Sequence, residues 1–150
     1  MIAYPDTSFL WAIYVQQSNS AAAAGYAAQM AEPLQVTGLL RYEFRQSLRF
    51  QTWRNAGNPR EGISLPDANA ALAQFEMDLQ TGVANLVPCS FHDVLARSDQ
   101  LSERHTVGHG HRAFDILHVA TALVLEAREF LTFDDNQRRL AASVGLSLAP

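Results

Sequence analysis

Four of the fifteen acidic residues stand at positions where a carboxylate needs a reason: Asp6, Glu43, Asp115 and Asp134. Solvated carboxylates are ordinary, but one on an apolar face or at the end of a strand must be paired, protonated or bound to a cation. Asp6 lies in Tyr4-Pro5-Asp6-Thr7-Ser8-Phe9-Leu10-Trp11, at the junction between a short apolar opening and a helical pattern. That junction suits a ligand site at the carboxyl end of a parallel strand. It equally suits a helix N-cap, since Asp, Thr and Ser all accept backbone N–H bonds there.

Glu43 sits in Leu39-Leu40-Arg41-Tyr42-Glu43-Phe44-Arg45-Gln46-Ser47-Leu48-Arg49-Phe50. At about 3.6 residues per turn it shares a face with Leu39, Leu40, Ser47 and Phe50, within an apolar stripe, and a cation or a buried arginine is the expected partner. Arg41, Arg45 and Arg49 fall on the opposite face and read as a solvated or partner-binding surface. Asp115 is in the first turn of an almost wholly apolar helix, where favourable interaction with the helix dipole is the alternative explanation. His118, one turn on, reads as a satisfied core or wall histidine rather than a ligand. Asp134 and Asp135 follow the apolar run Phe130-Leu131, and capping accounts for one of them without saying which. His105, His109 and His111 match no specific metal motif.

An all-carboxylate set suits hard ions, Mg2+ or Mn2+, rather than zinc. Such ions lower the pKa of bound water and offset charge on a leaving oxygen, so phosphodiester hydrolysis without a protein nucleophile is the expected chemistry. The sequence has no GxGxxG or GxxxxGK[ST] loop and no GxSxG elbow. Ser8 stands where a phosphoaspartyl phosphatase would need a second aspartate after Asp6.

The elements that must position these acids alternate short β-rich runs with longer helical ones, which predicts an α/β fold with a mainly parallel sheet. Strands are expected near 2–4, 34–37, 85–88, 129–132 and 146–148. Helices are expected over 9–17, 20–31, 39–55, 66–81, 91–103, 113–127 and 136–143, with loops at 56–62 and 106–110. If the sheet is parallel, the strand ends share one edge and the acids converge there.

With 150 residues, the chain has the size of one domain, 1–150, able to bury a core without disulfides. At 48% hydrophobic and 17% charged residues the composition is globular, and no apolar run nears the ~20 residues of a spanning helix. A soluble protein is expected, and the absence of a signal-like leader argues for the cytoplasm. Cys89 has no partner within the chain and reads as a small buried hydrophobe. A net charge of −4, with every one of the 11 basic residues an arginine, excludes a polybasic nucleic-acid coat. RNA remains accessible to such a protein if cations neutralise the acids and a few arginines hold phosphates.

Taken in order, Asp6-Thr7-Ser8, Glu43, Arg112-Ala113-Phe114-Asp115-Ile116-Leu117-His118-Val119-Ala120-Thr121-Ala122 and Leu131-Thr132-Phe133-Asp134 give the chain a resemblance. It is similar to PIN-domain proteins over nearly its whole length, most of all to the VapC-type toxins of toxin-antitoxin pairs. The resemblance implies a three-layer α/β/α sandwich with a parallel sheet of about five strands, a homodimer, and Mg2+- or Mn2+-dependent endoribonuclease activity on structured RNA such as tRNA or rRNA. It assigns Asp6, Glu43, Asp115 and Asp134 to the metal, Ser8 and Thr132 to orienting them, and Arg112 to substrate or an acid. It also implies an antitoxin whose C-terminal segment fills the acidic groove, often with an arginine among the carboxylates. Pro5 before the first acid and Asp135 beside the fourth depart from the family pattern, leaving either Asp134 or Asp135 as the fourth ligand. A housekeeping RNA-processing nuclease and an inactive binding module of the same fold are the rival readings.

Overall fold

The computed structural model describes residues 2–150. Its elements run β1 (Ala3–Pro5), α1 (Thr7–Tyr14), α2 (Ser20–Ala27), β2 (Leu34–Val36), α3 (Gly38–Gly57), α4 (Leu65–Thr81), β3 (Ala84–Leu86), α5 (Phe91–His109), α6 (Ala113–Val124), β4 (Glu129–Leu131), α7 (Asp135–Ser143) and β5 (Ser147–Ala149). All strand pairs are parallel, and helices flank them as the alternating pattern requires. The helices pack chiefly in two groups, α1 to α4 and α5 to α7.

The expected five strands are present, but they are hydrogen-bonded as two sets, β1-β4-β5 and β2-β3. β1 nonetheless lies beside β2, giving the spatial order β3-β2-β1-β4-β5. Proline explains the break. Asp6 N–H donates to Leu131 O at 3.0 Å and Ile2 O accepts from Glu129 N–H, so alternate residues of β1 bond toward β4. The intervening Pro5 faces β2, where it offers no donor. The strand order reverses between β1 and β4, and in open parallel sheets that switch point opens a crevice at the carboxyl ends of the strands.

The core is a continuous cluster in which Tyr4, Phe9, Leu10, Leu40, Phe44, Phe75, Phe130 and Leu131 are wholly buried. On α3 the buried stripe is Leu40, Phe44 and Leu48, one residue round from the expected one. Glu43 therefore lies at the margin of the stripe rather than within it, and Phe50 is exposed against Trp53. The arginine face is not simply solvated: Arg41 and Arg45 both pair with Glu76 of α4, at 2.7 and 3.1 Å.

One loop reading changes and the other holds. The segment expected as a loop at 106–110 continues α5 to His109, because Gly110 supplies the left-handed cap (φ 68°) that ends the helix one residue later. The loop after α3 is real, and Gly62 (φ 64°) is what lets it close: a Cβ there would lie 2.0 Å from the Gln51 carbonyl oxygen.

Candidate active site

Asp6 leaves β1 fully buried and caps α1. Its Oδ1 accepts from Phe9 N–H (2.9 Å) and from the Ser8 hydroxyl (2.7 Å), while Oδ2 accepts from the Thr132 hydroxyl (2.5 Å). The cap and the site are thus the same residue. Burial pushes its pKa up, and the hydrogen bonds from Thr132, Ser8 and Phe9 oppose that rise. Thr132, also fully buried, accepts from Asp134 N–H at 3.0 Å, so one hydroxyl ties Asp6 at the end of β1 to Asp134 beyond the end of β4. Ser8 completes the link by accepting from Phe133 N–H at 2.8 Å.

Asp134 caps α7, its Oδ1 accepting from Asn136 and Gln137 N–H at 2.8 and 3.0 Å. Its Oδ2 lies 3.7 Å from the Arg112 guanidinium. Asp135 is exposed in the first turn of α7 and does not line the hollow described below. Asp115 is buried in the first turn of α6, and Arg112 holds it with two hydrogen bonds, Nε to Oδ2 at 3.0 Å and Nη2 to Oδ1 at 3.3 Å. Arg112 itself is largely exposed.

Glu43 finds its partner neither in an arginine of its own helix nor in empty space. Its Oε2 accepts from the Thr7 hydroxyl and from His118 Nε2, and no protein hydrogen bond reaches Oε1 among the described residues. Burial pushes the Glu43 pKa up, but His118, Thr7 and Arg112 together outweigh it and hold the carboxyl below its usual range. His118 is wholly buried, as a core histidine should be, and its Nδ1 lies 3.1 Å from the Tyr4 hydroxyl. Thr7 and His118 went unassigned in the sequence as partners of Glu43. The available signal was physical: a half-buried carboxylate needs donors, and His118 is a donor on a largely apolar helix.

Thr7, Ser8, Glu43, Arg112, Asp115 and Asp134 surround one open hollow of about 570 Å³. Asp6 does not line it and joins it through Ser8 and Thr132. Among the described residues, no three His, Cys, Asp or Glu side chains are placed to share one ion. The hydrogen bonds show why: Arg112 occupies Asp115 and approaches Asp134, and both oxygens of Asp6 are taken. The donor set still fits a hard divalent cation in type, since every candidate ligand is a carboxylate oxygen. Among the described residues Glu43 Oε1 and Asp134 Oδ2 take no close protein hydrogen bond, and the cation now holding Asp115 is an exposed side chain.

His105, His109 and His111 gather elsewhere. His109 and His111 stack with ring centroids 5.9 Å apart, and burial, with His109 and His105 nearby, pushes the His111 pKa down. None of the three lines the hollow. Cys89 is half-buried after β3, and burial raises its thiol pKa.

The chain matches the family described as PIN domain over residues 3–143. In fold it is similar to FitAcB from Neisseria gonorrhoeae, with a TM-score of 0.70 at 16% identity over 99% of this chain and 97% of that one. It is similar also to VapC20 of Mycobacterium tuberculosis, described as a sarcin-ricin loop cleaving toxin, with a TM-score of 0.66 at 17% identity over 99% of both chains. VapBC-1 from nontypeable Haemophilus influenzae gives a TM-score of 0.66 at 13% identity, over 99% of this chain and 96% of that one. Among curated proteins none matches the chain in sequence.

Proposed function

This chain belongs to the PIN-domain family, and we propose that it is a metal-dependent endoribonuclease, the toxin of a toxin-antitoxin pair, acting as a single domain on structured RNA such as tRNA or rRNA. PIN domains are typically metal-dependent nucleases. The observation that carries the reading is the meeting of Glu43, Asp115 and Asp134, from three separate elements, around one hollow at the switch point of the sheet, with Asp6 beneath. Glu43, Asp115 and Asp134 would hold Mg2+ or Mn2+, and Asp6 would join them or fix their floor. When bound, such an ion supplies an activated water and offsets charge on the leaving oxygen. Ser8 and Thr132 keep Asp6 and Asp134 in mutual register. Arg112, released from Asp115, is then positioned to bind a phosphate oxygen of the RNA.

The complexes among the structural neighbours support an antitoxin partner, and we propose that its C-terminal segment enters the same hollow. The bidentate hold of Arg112 on Asp115 marks where an inserted arginine can sit. A homodimer acting in the cytoplasm completes the proposal; no described helix is long and apolar enough to cross a membrane. The test is cleavage of a structured RNA by the purified protein with Mn2+. Cleavage that is abolished by chelator, restored by added Mn2+ and lost in Asp115→Asn supports the reading. Undiminished cleavage by that variant contradicts the proposed acid site, and no cleavage by the wild type with either ion contradicts the nuclease reading and favours a binding module.

A further inference from the structure

We infer that His118 is a positioning residue for the Glu43 carboxylate, and that Tyr4 sets the ring for that task. The inference rests on the proposed metal site. His118 is 1% exposed, and both ring nitrogens are engaged, Nε2 with Glu43 and Nδ1 with the Tyr4 hydroxyl at 3.1 Å. An ionised carboxylate only accepts hydrogen bonds, so Nε2 must carry the proton that faces Glu43. The second nitrogen then settles the ring's orientation through whatever it bonds. The Tyr4 hydroxyl lies in turn 3.4 Å from that of Thr37, the residue that caps α3. A closed path therefore runs from β1 through α6 to the Glu43 side chain and back to the start of its own helix.

This path has a geometric consequence. Tyr4 lies in β1 and Asp6 just past its end, where the backbone is still extended, so the two, two residues apart, project from the same face. β1 thereby positions two acids, Asp6 directly and Glu43 through Tyr4 and His118. A histidine at the centre of a largely apolar helix gains no packing over leucine, and burying its polar atoms is costly unless both are bonded. Its bonds lead to the site. Glu43 Oε2 is pinned by Thr7 and His118, so only Oε1 can turn toward an ion without breaking them.

The test is calorimetric titration of the full-length protein with Mn2+, comparing wild type with His118→Leu, His118→Gln and Tyr4→Phe. Loss of a partner that orients a ligating carboxylate costs roughly 10- to 100-fold in metal affinity, and His118→Leu is expected to lose at least about 10-fold. His118→Gln keeps an N–H donor and is expected to recover most of that loss, which a purely structural histidine would not produce. Tyr4→Phe keeps the buried ring, guards against a leucine variant that does not fold, and is expected to weaken binding less. Long-range proton–nitrogen NMR of the metal-free wild type is expected to show the proton on His118 Nε2. Wild-type affinity in both His118→Leu and Tyr4→Phe, or an unprotonated Nε2, overturns this inference alone. Failure of the wild type to bind Mn2+ overturns the nuclease reading and this inference with it.

Discussion

Arg112 grips Asp115 with two hydrogen bonds, 3.0 and 3.3 Å long, at the rim of the hollow where an ion would sit. The guanidinium is the cation of the metal-free site, and a divalent ion must displace it from Asp115 and from its approach to Asp134. Arg112→Ala is therefore expected to tighten Mn2+ binding several-fold, measured by calorimetry, while weakening RNA affinity. Weaker Mn2+ binding in this variant would mean that Arg112 holds the acids in place rather than competing for them.

Thr132, itself fully buried, donates to the buried Asp6 and accepts from the N–H of the partly buried Asp134. Thr132→Val keeps the volume but leaves both groups short of a partner, at a cost of about 1–3 kcal/mol for each buried group left unsatisfied. Urea denaturation should show a lower midpoint with an unchanged m-value. An unchanged midpoint would mean that neither group depends on the hydroxyl.

Asp6 and Glu43 respond oppositely to pH in the metal-free protein. Burial raises the Asp6 pKa above its ordinary 3.8, so the native state holds its proton more tightly than the unfolded chain and stability falls as pH rises through that window. Glu43 lies below its ordinary 4.5, so its contribution is present above that value and is lost as pH falls through the folded pKa. Asp6→Asn is expected to raise the neutral-pH melting temperature in chelator, with the gain shrinking toward pH 4, while Glu43→Gln lowers it. A lowered melting temperature for Asp6→Asn at pH 7 would show that its hydrogen bonds outweigh its desolvation.

Gly62 closes the loop after α3 against Gln51, whose carbonyl oxygen also accepts from Ile63 N–H at 3.3 Å. Gly62→Ala meets that oxygen at a φ of 64° that L residues rarely adopt, and should cost more than about 1 kcal/mol. Thermal unfolding measures it. An unchanged melting temperature would mean that the loop shifts without penalty.

What the sequence made legible was local. Asp6 and Asp134 announced themselves as acids between a strand and a helix, and both prove to be caps whose remaining oxygens face other residues. Periodicity placed Glu43 one residue too deep in its stripe, because Phe50 was counted as core and is half exposed. The partner that satisfies Glu43, His118, lies 75 residues away, and no pattern along one helix can reveal a bond that the sheet order creates. The same limit hid the Glu76 pairing of Arg41 and Arg45. Asp134 and Asp135 were inseparable by type; the cap geometry separates them by turning the first inward and the second to solvent. Pro5 has no N–H to donate, and the ladder is interrupted on its β2 side.

The central claim is that acids distant in sequence form one divalent-cation site, and a crystal grown with Mn2+ tests it most directly through anomalous scattering. The account predicts a peak within bonding distance, about 2.0–2.2 Å for a hard six-coordinate ion, of carboxylate oxygens from Glu43, Asp115 and Asp134, with Arg112 swung away. At saturating Mn2+, a hollow with no peak and Arg112 still on Asp115 would contradict it.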